Sequence, residues 1–136
     1  MSFSKRDIWR MIKCEIGIDP DDSIAATIEG AAINLNYSAG GGESVVLHVA
    51  CGAATGGPSA QTVDGKIEQS ADGSTSWTDV GDAITQLTGD DEDGESPGIN
   101  LSTLQKYIRA NIVVGFTGGS TPTIPVAATL VIGGRD

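Results

Sequence analysis

The chemistry-bearing side chains of this chain are few. His48 is its single histidine, and it sits in the apolar run Glu43–Cys51. A catalytic imidazole needs a nucleophile and an orienting carboxylate, and no G-x-S-x-G elbow is present to supply the first. The residue types around His48 therefore suit a structural or surface histidine. Asp90-Asp91-Glu92-Asp93-Gly94-Glu95 brings carboxylates together, as a hard cation requires. In an EF-hand a glutamate falls six residues after the glycine, whereas here that position is Asn100. A solvated acidic loop is the simpler reading, with electrostatic docking to a basic surface as the alternative. Cys14 and Cys51 are the only cysteines and show no CxxC spacing, which fits two packed thiols or a single bridge. The glycine runs contain no phosphate-cradling G-x-x-x-x-G-K-[ST] motif. The residues thus point to no cofactor, no metal and no catalytic centre.

Aromatic side chains, which build stacking platforms for sugars or single strands, are limited to two Trp, two Tyr and two Phe. Trp77 follows a turn and reads as a core anchor, with a ligand platform as the competing role. Arg109 lies within an alternating segment. It is expected either to pair with an acid across the strands or to form a salt bridge between subunits.

These residues are positioned by a chain of 136 residues, the length of one domain with a substantial core. Its 19 glycines are about twice the usual share of roughly 7% and punctuate short apolar runs, as in a sandwich or jelly roll. The organising stretch is Thr62–Val80. There Val63, Gly65, Ile67 and Gln69 alternate with Asp64, Lys66 and Glu68 before the Asp72-Gly73 turn. That is a hairpin with one covered and one wet face. Val45, Leu47, Val49 and Cys51 line one face of a second strand. Ile108, Ala110, Ile112, Val114 and Phe116 line a third, with Tyr107, Arg109, Asn111 and Val113 on its other face. Ser23–Tyr37 reads as two short strands broken near Gly30, and Asp82–Thr88 and Ile124–Gly133 as two more. The expectation is an all-β jelly roll or β-sandwich of about eight antiparallel strands, occupying residues 18–136. No repeat of solenoid or propeller length is present.

Residues 1–17 read separately, as a basic arm or short helix. Ile8, Met11 and Ile12 recur at helical intervals, Gly17 offers a stop, and Asp19-Pro20-Asp21-Asp22 reads as a turn. Lys5, Arg6, Arg10 and Lys13 are four of the eight basic residues in a chain of net charge −10. That charge disfavours nucleic acid and anionic membranes. No secretory signal or membrane-spanning run is apparent.

The segment Ile67–Val80, followed by Lys106-Tyr107-Ile108-Arg109-Ala110, resembles small virion proteins of tailed bacteriophages. In that group an I-x-E-S-x-D-G-x-x-W-x-x-V hairpin precedes a K-R-Y-[IV]-R strand. Gln69 and Gln105-Lys106 depart from the pattern. The resemblance spans most of Ser23–Gly134. It implies a jelly-roll capsid-decoration or cement protein, non-enzymatic and homo-oligomeric as a dimer or trimer. Such a protein is made in the host cytoplasm and binds the major capsid protein on the outer surface of the virion. The contact candidates are Lys5, Arg6, Trp9, Arg10, Lys13 and Arg109. Similar S-x-D-G-x-x-W turns occur in carbohydrate-binding sandwiches. The alternative implied is therefore a carbohydrate- or receptor-binding module of a phage tail or particle.

Overall fold

The computed structural model describes residues 12–35 and 44–133. Among the described residues, ten strands form two antiparallel sheets packed face to face. They are β1 (Ile12–Ile24), β2 (Ile28–Glu29), β3 (Ile33–Asn34), β4 (Ser44–Cys51), β5 (Ala60–Ser70), β6 (Thr78–Val80), β7 (Asp93–Glu95), β8 (Ile99–Asn100), β9 (Tyr107–Thr117) and β10 (Ile124–Gly133). Sheet A has the order β1-β10-β4-β7, with β8 also on β4; sheet B has the order β2-β9-β5-β6, with β3 also on β9. Pairing is nested, first strand with last, as in a jelly roll.

The core lies between the sheets and is built from alternate residues. Val45, Leu47 and Val49 of β4 and Ile108, Ala110 and Ile112 of β9 point into it from the two sheets, and all six are fully buried. Burying each large aliphatic side chain stabilises the fold by roughly 1.5–3 kcal/mol. The longest ladder of sheet B pairs all of β5 with all of β9, Ala60 opposite Thr117 through Ser70 opposite Tyr107. The two short strands on either side of Gly30 and the final strand are found where the alternation places them.

Several local expectations are corrected. Residues 12–17 are not helical: they open β1, which continues through Asp19-Pro20-Asp21-Asp22 instead of turning there. The strand tolerates Pro20 because it is an edge strand, where a missing N–H breaks no interior ladder. Its register against β10 shifts at three points between Ile16 and Ile24. Gly17 is therefore not a helix stop but a point of close approach: a Cβ there would sit 3.0 Å from Ala110 Cβ. Gly30 is tighter still, since its Cβ would lie only 1.8 Å from the Gly17 carbonyl oxygen. These two glycines let sheet A and sheet B converge at one corner.

Residues 82–88 form no strand. They run extended beside β5, with Val63 bridged to Leu87 and the Ile84 amide donating to the Gly65 carbonyl at 2.9 Å. The acidic stretch is not wholly loop, because Asp93–Glu95 forms β7 on the edge of β4. Trp77 is not in the core; it lies half-buried on the outer face of sheet B.

Candidate functional site: the two outer faces

The two sheets present unlike faces to solvent. On sheet B the outward positions of β9 are Tyr107, Arg109, Asn111 and Val113. They stand opposite Ser70, Glu68, Lys66 and Asp64 of β5. Asp79 of β6 lies opposite Glu68, and Glu29 of β2 opposite Asn111. The face is a lattice of charge.

Arg109 is its centre. Its Nε donates to Glu68 Oε2 at 2.7 Å, and Nη2 pairs with Glu29 Oε1 at 2.9 Å. The guanidinium lies 4.3 Å from the Trp77 ring centroid, a cation–π stack. Asn111 Nδ2 donates to the other oxygen of Glu68 at 3.1 Å. With its carboxylate occupied on both sides, Glu68 can be buried on a face where alternation alone would leave it wet. Asn111 Oδ1 is buried with no hydrogen-bond partner among the described residues. Lys66 stands opposite Asn111, but its Nζ meets Asp79 Oδ1 at 2.8 Å.

The turn beyond β5 holds the aromatic edge of this face. Gly73 takes φ 76°, a left-handed conformation that glycine adopts freely. The Tyr107 ring packs on it so closely that a Cβ would come within 2.9 Å of the ring. The backbone amides of Ser74 and Thr75 donate to Asp72 Oδ1 at 2.9 and 2.8 Å, and Thr75 Oγ1 donates to Oδ2 at 2.6 Å. These donors hold the Asp72 carboxyl well below the usual carboxylate range. Lys106 Nζ sits 5.2 Å from the Tyr107 centroid. Trp77 and Tyr107 thus lie on one rigid strip, each beside a cation.

The outer face of sheet A is more apolar. Over β1, β10 and β4 its exposed and half-buried positions include Cys14, Ile16, Asp19 and Pro20, then Pro125, Ala127, Thr129 and Val131, and Val46, His48 and Ala50. Their register partners place them in rows: Cys14–Val131–Val46, Ile16–Thr129–His48, Ala127–Ala50. His48 Nε2 lies 3.0 Å from Asp93 Oδ2 on the neighbouring edge strand. A shallow hollow of ≈ 290 Å³, lined by Pro20, Ala50, Pro125 and Ala127 among others, continues the apolar surface.

Both thiols are free, Cys14 exposed and Cys51 buried. They lie opposite Val131 and Val126 on either side of β10. That is two strand spacings and five residues apart, or roughly 20 Å, well beyond disulfide reach. Burial pushes the Cys51 thiol up. The acidic stretch is spent on local contacts. Glu92 accepts from the amides of Thr88 and Gly89, each at 3.0 Å. Asp90 Oδ1 accepts from Gln61 Nε2 at 2.8 Å. Among the described residues no three His, Cys, Asp or Glu side chains are grouped to hold a metal. No described helix is long and apolar enough to cross a membrane. The arrangement is one of surfaces for contact.

Of the contact candidates, Lys5, Arg6, Trp9 and Arg10 lie outside the described residues. Lys13 lies on β1 opposite Ile132. Arg109 makes the cross-strand acid pair that its position suggested. Sequence reasoning missed Cys14, Ile16 and the uncharged run of outward residues on β10. The alternation Ile12, Cys14, Ile16, Ile18 is the signal that could have found the first two.

No protein-family model matches the chain, and no curated protein matches it. Among solved structures it is similar to Eiger TNF from S. frugiperda, with 7% identity, 93% of this chain and 94% of that chain covered, and a TM-score of 0.38. A likeness this distant carries no information about activity. It nevertheless stands where a virion protein was expected, and the bacteriophage resemblance is corrected accordingly. The capsid-decoration role, the major capsid protein as partner and a place on the outer surface of a virion are withdrawn with it.

Proposed function

We propose that the protein is a ligand-binding β-sandwich that recognises a carbohydrate or a receptor through the outer face of sheet B. The observation that carries this reading is the fixed strip of Trp77 on Arg109 and Tyr107 on the Gly73 turn. Two of the three aromatic residues within the described regions stand here, outside the core, while Phe116 packs against the core. Rigid aromatic side chains flanked by charge lose little entropy on contact and offer both stacking and hydrogen bonding. The ion pairs of Arg109 hold Trp77 in place before any ligand arrives, which lowers the ordering cost of binding.

Binding to a glycan array and to intact cells tests the proposal. The expected result is a specific ligand whose binding falls at least about tenfold in Trp77→Ala, as removal of an interface hot spot does. The folded β signature in circular dichroism is retained. A ligand bound equally by Trp77→Ala and Tyr107→Ala overturns the assignment to this face.

A further inference from the structure

Beyond the aromatic strip, the outer face of sheet B has one corner where three unsettled groups meet. Val113 of β9 is 39% exposed, one of two large apolar side chains left open among the described residues. Asn111, two positions before it on the same face, is only 6% exposed, and its Oδ1 has no hydrogen-bond partner. Its Nδ2 is given to Glu68. The planar amide therefore turns Oδ1 away from Glu68, toward Val113 and toward Glu29, which stands opposite Asn111 on β2. Asp64 stands opposite Val113 on β5. Both its oxygens accept from one neutral donor, Gln86 Nε2, at 3.0 and 2.9 Å. The two bases nearby are already paired: Lys66 gives its Nζ to Asp79, and Arg109 is held by Glu68 and Glu29. What is left over is acceptor, a buried amide oxygen and two carboxylates around an exposed valine. A buried acceptor without a donor is a standing cost, which a donor from outside removes.

We propose that this corner receives a lysine side chain of a protein receptor. The inference rests on the reading above that sheet B is the recognition face, and it names the partner as protein and not carbohydrate. The chemistry of the corner selects that occupant. Lysine is an apolar four-carbon stem ending in an ammonium with three donors and no acceptor. The stem covers Val113. The ammonium meets Asn111 Oδ1 and the Glu29 carboxylate, and Asp64 adds attraction from across the valine. An anionic group meets only acceptors here and is repelled. A neutral sugar brings donors, but no charge to balance Asp64 and Glu29 and no flexible apolar stem. The net charge of −10 draws a basic partner toward the chain. Oδ1 is shut off from water in the free chain. The ammonium therefore enters as Glu29, the neighbour whose side chain is 49% exposed, turns aside.

The probe is Nα-acetyl-lysine methylamide, titrated into the isotope-labelled full chain and followed by NMR. Nα-acetyl-norleucine methylamide carries the stem without the charge, and methylammonium the charge without the stem. The expected result is saturable shifts centred on the Asn111 side-chain amide and the Val113 methyls, with each partial probe bound at least about fivefold more weakly. Asp64→Asn and Glu29→Gln each weaken the lysine probe by up to about fivefold, the range of an exposed charge pair. Asp91→Asn, at an exposed acid outside this face, leaves it unchanged. Shifts spread evenly over the acids of the chain, absence of saturation, or equal weakening by Asp91→Asn overturns the proposal. So does a glycan ligand that Trp77→Ala abolishes and Asp64→Asn leaves untouched, a result that keeps the Trp77 strip. Lysine binding that persists in Trp77→Ala supports the corner even where the strip holds no ligand, so the two readings fail separately.

Discussion

Replacing Arg109 with methionine tests whether the sheet B network is structural as well as exposed. The Arg109 and Glu68 side chains are only 14% and 10% exposed, so their pair sits largely out of water. Removing one member of a buried pair leaves the other charged and unpaired, at a cost of about 3–5 kcal/mol. Asn111 still donates to Glu68 in the variant, which favours the lower end, about 3 kcal/mol. Glu29 is 49% exposed, so its arm of the network adds under ~1 kcal/mol. For a domain of this length about 3 kcal/mol lowers Tm by roughly 10 °C. Urea unfolding and calorimetry measure both quantities. The decisive comparison is the double variant Arg109→Met with Glu68→Met. If the penalty comes from a stranded carboxylate, the double variant is more stable than Arg109→Met alone, with a coupling above about 1 kcal/mol. Additive single losses, or a loss under ~1 kcal/mol for Arg109→Met, refute the reasoning and reduce the network to an ordinary surface ion pair.

Gly30→Ala is expected to cost more than the ~1–3 kcal/mol of ordinary overpacking, because its Cβ meets backbone and not a movable side chain; chemical denaturation checks this. In dilute native protein, Cys14 is expected to react with a thiol reagent at mildly alkaline pH while Cys51 stays silent until unfolding. The Asp72 carboxyl is depressed in the folded state, so its contribution to the turn is present above the ordinary aspartate range and is lost only as pH falls through its lowered value. Amide exchange at Ser74 and Thr75 is therefore expected to stay slow through mildly acidic pH in the native chain and to become fast in Asp72→Ala.

The inner faces were legible because alternation is a direct record of burial. Val45, Leu47 and Val49, or Ile108, Ala110 and Ile112, have no other arrangement that hides them all. What escaped was decided by partners distant in sequence. Ile8, Met11 and Ile12 suggested a helix, but Ile12, Cys14, Ile16 and Ile18 also alternate. Pairing with β10 makes this segment a strand, and the register shift between Ile16 and Ile18 turns Ile18 inward while Cys14 and Ile16 stay exposed. Asp93-Gly94-Glu95 has no intrinsic strand preference and is extended because β4 offers an edge. Glu68 looked solvated because its companions Arg109 and Asn111 lie some 40 positions away, at separations of 41 and 43. Trp77 looked like core because a large apolar ring usually is. Here the turn before β6 carries it over the outside of Arg109, and the guanidinium takes the place of a hydrophobic pocket.

The charge balance of sheet B bears on how a partner reaches its aromatic strip. Sheet B pairs Arg109 with Glu68 and Glu29 and Lys66 with Asp79, while Asp64 accepts from the neutral Gln86 amide, so its acids outnumber its bases. Lys106 adds a cation beside Tyr107. Association with a neutral glycan is then expected to be insensitive to salt, whereas the rate of association with a charged receptor is expected to change with it, which stopped-flow binding across ionic strength measures.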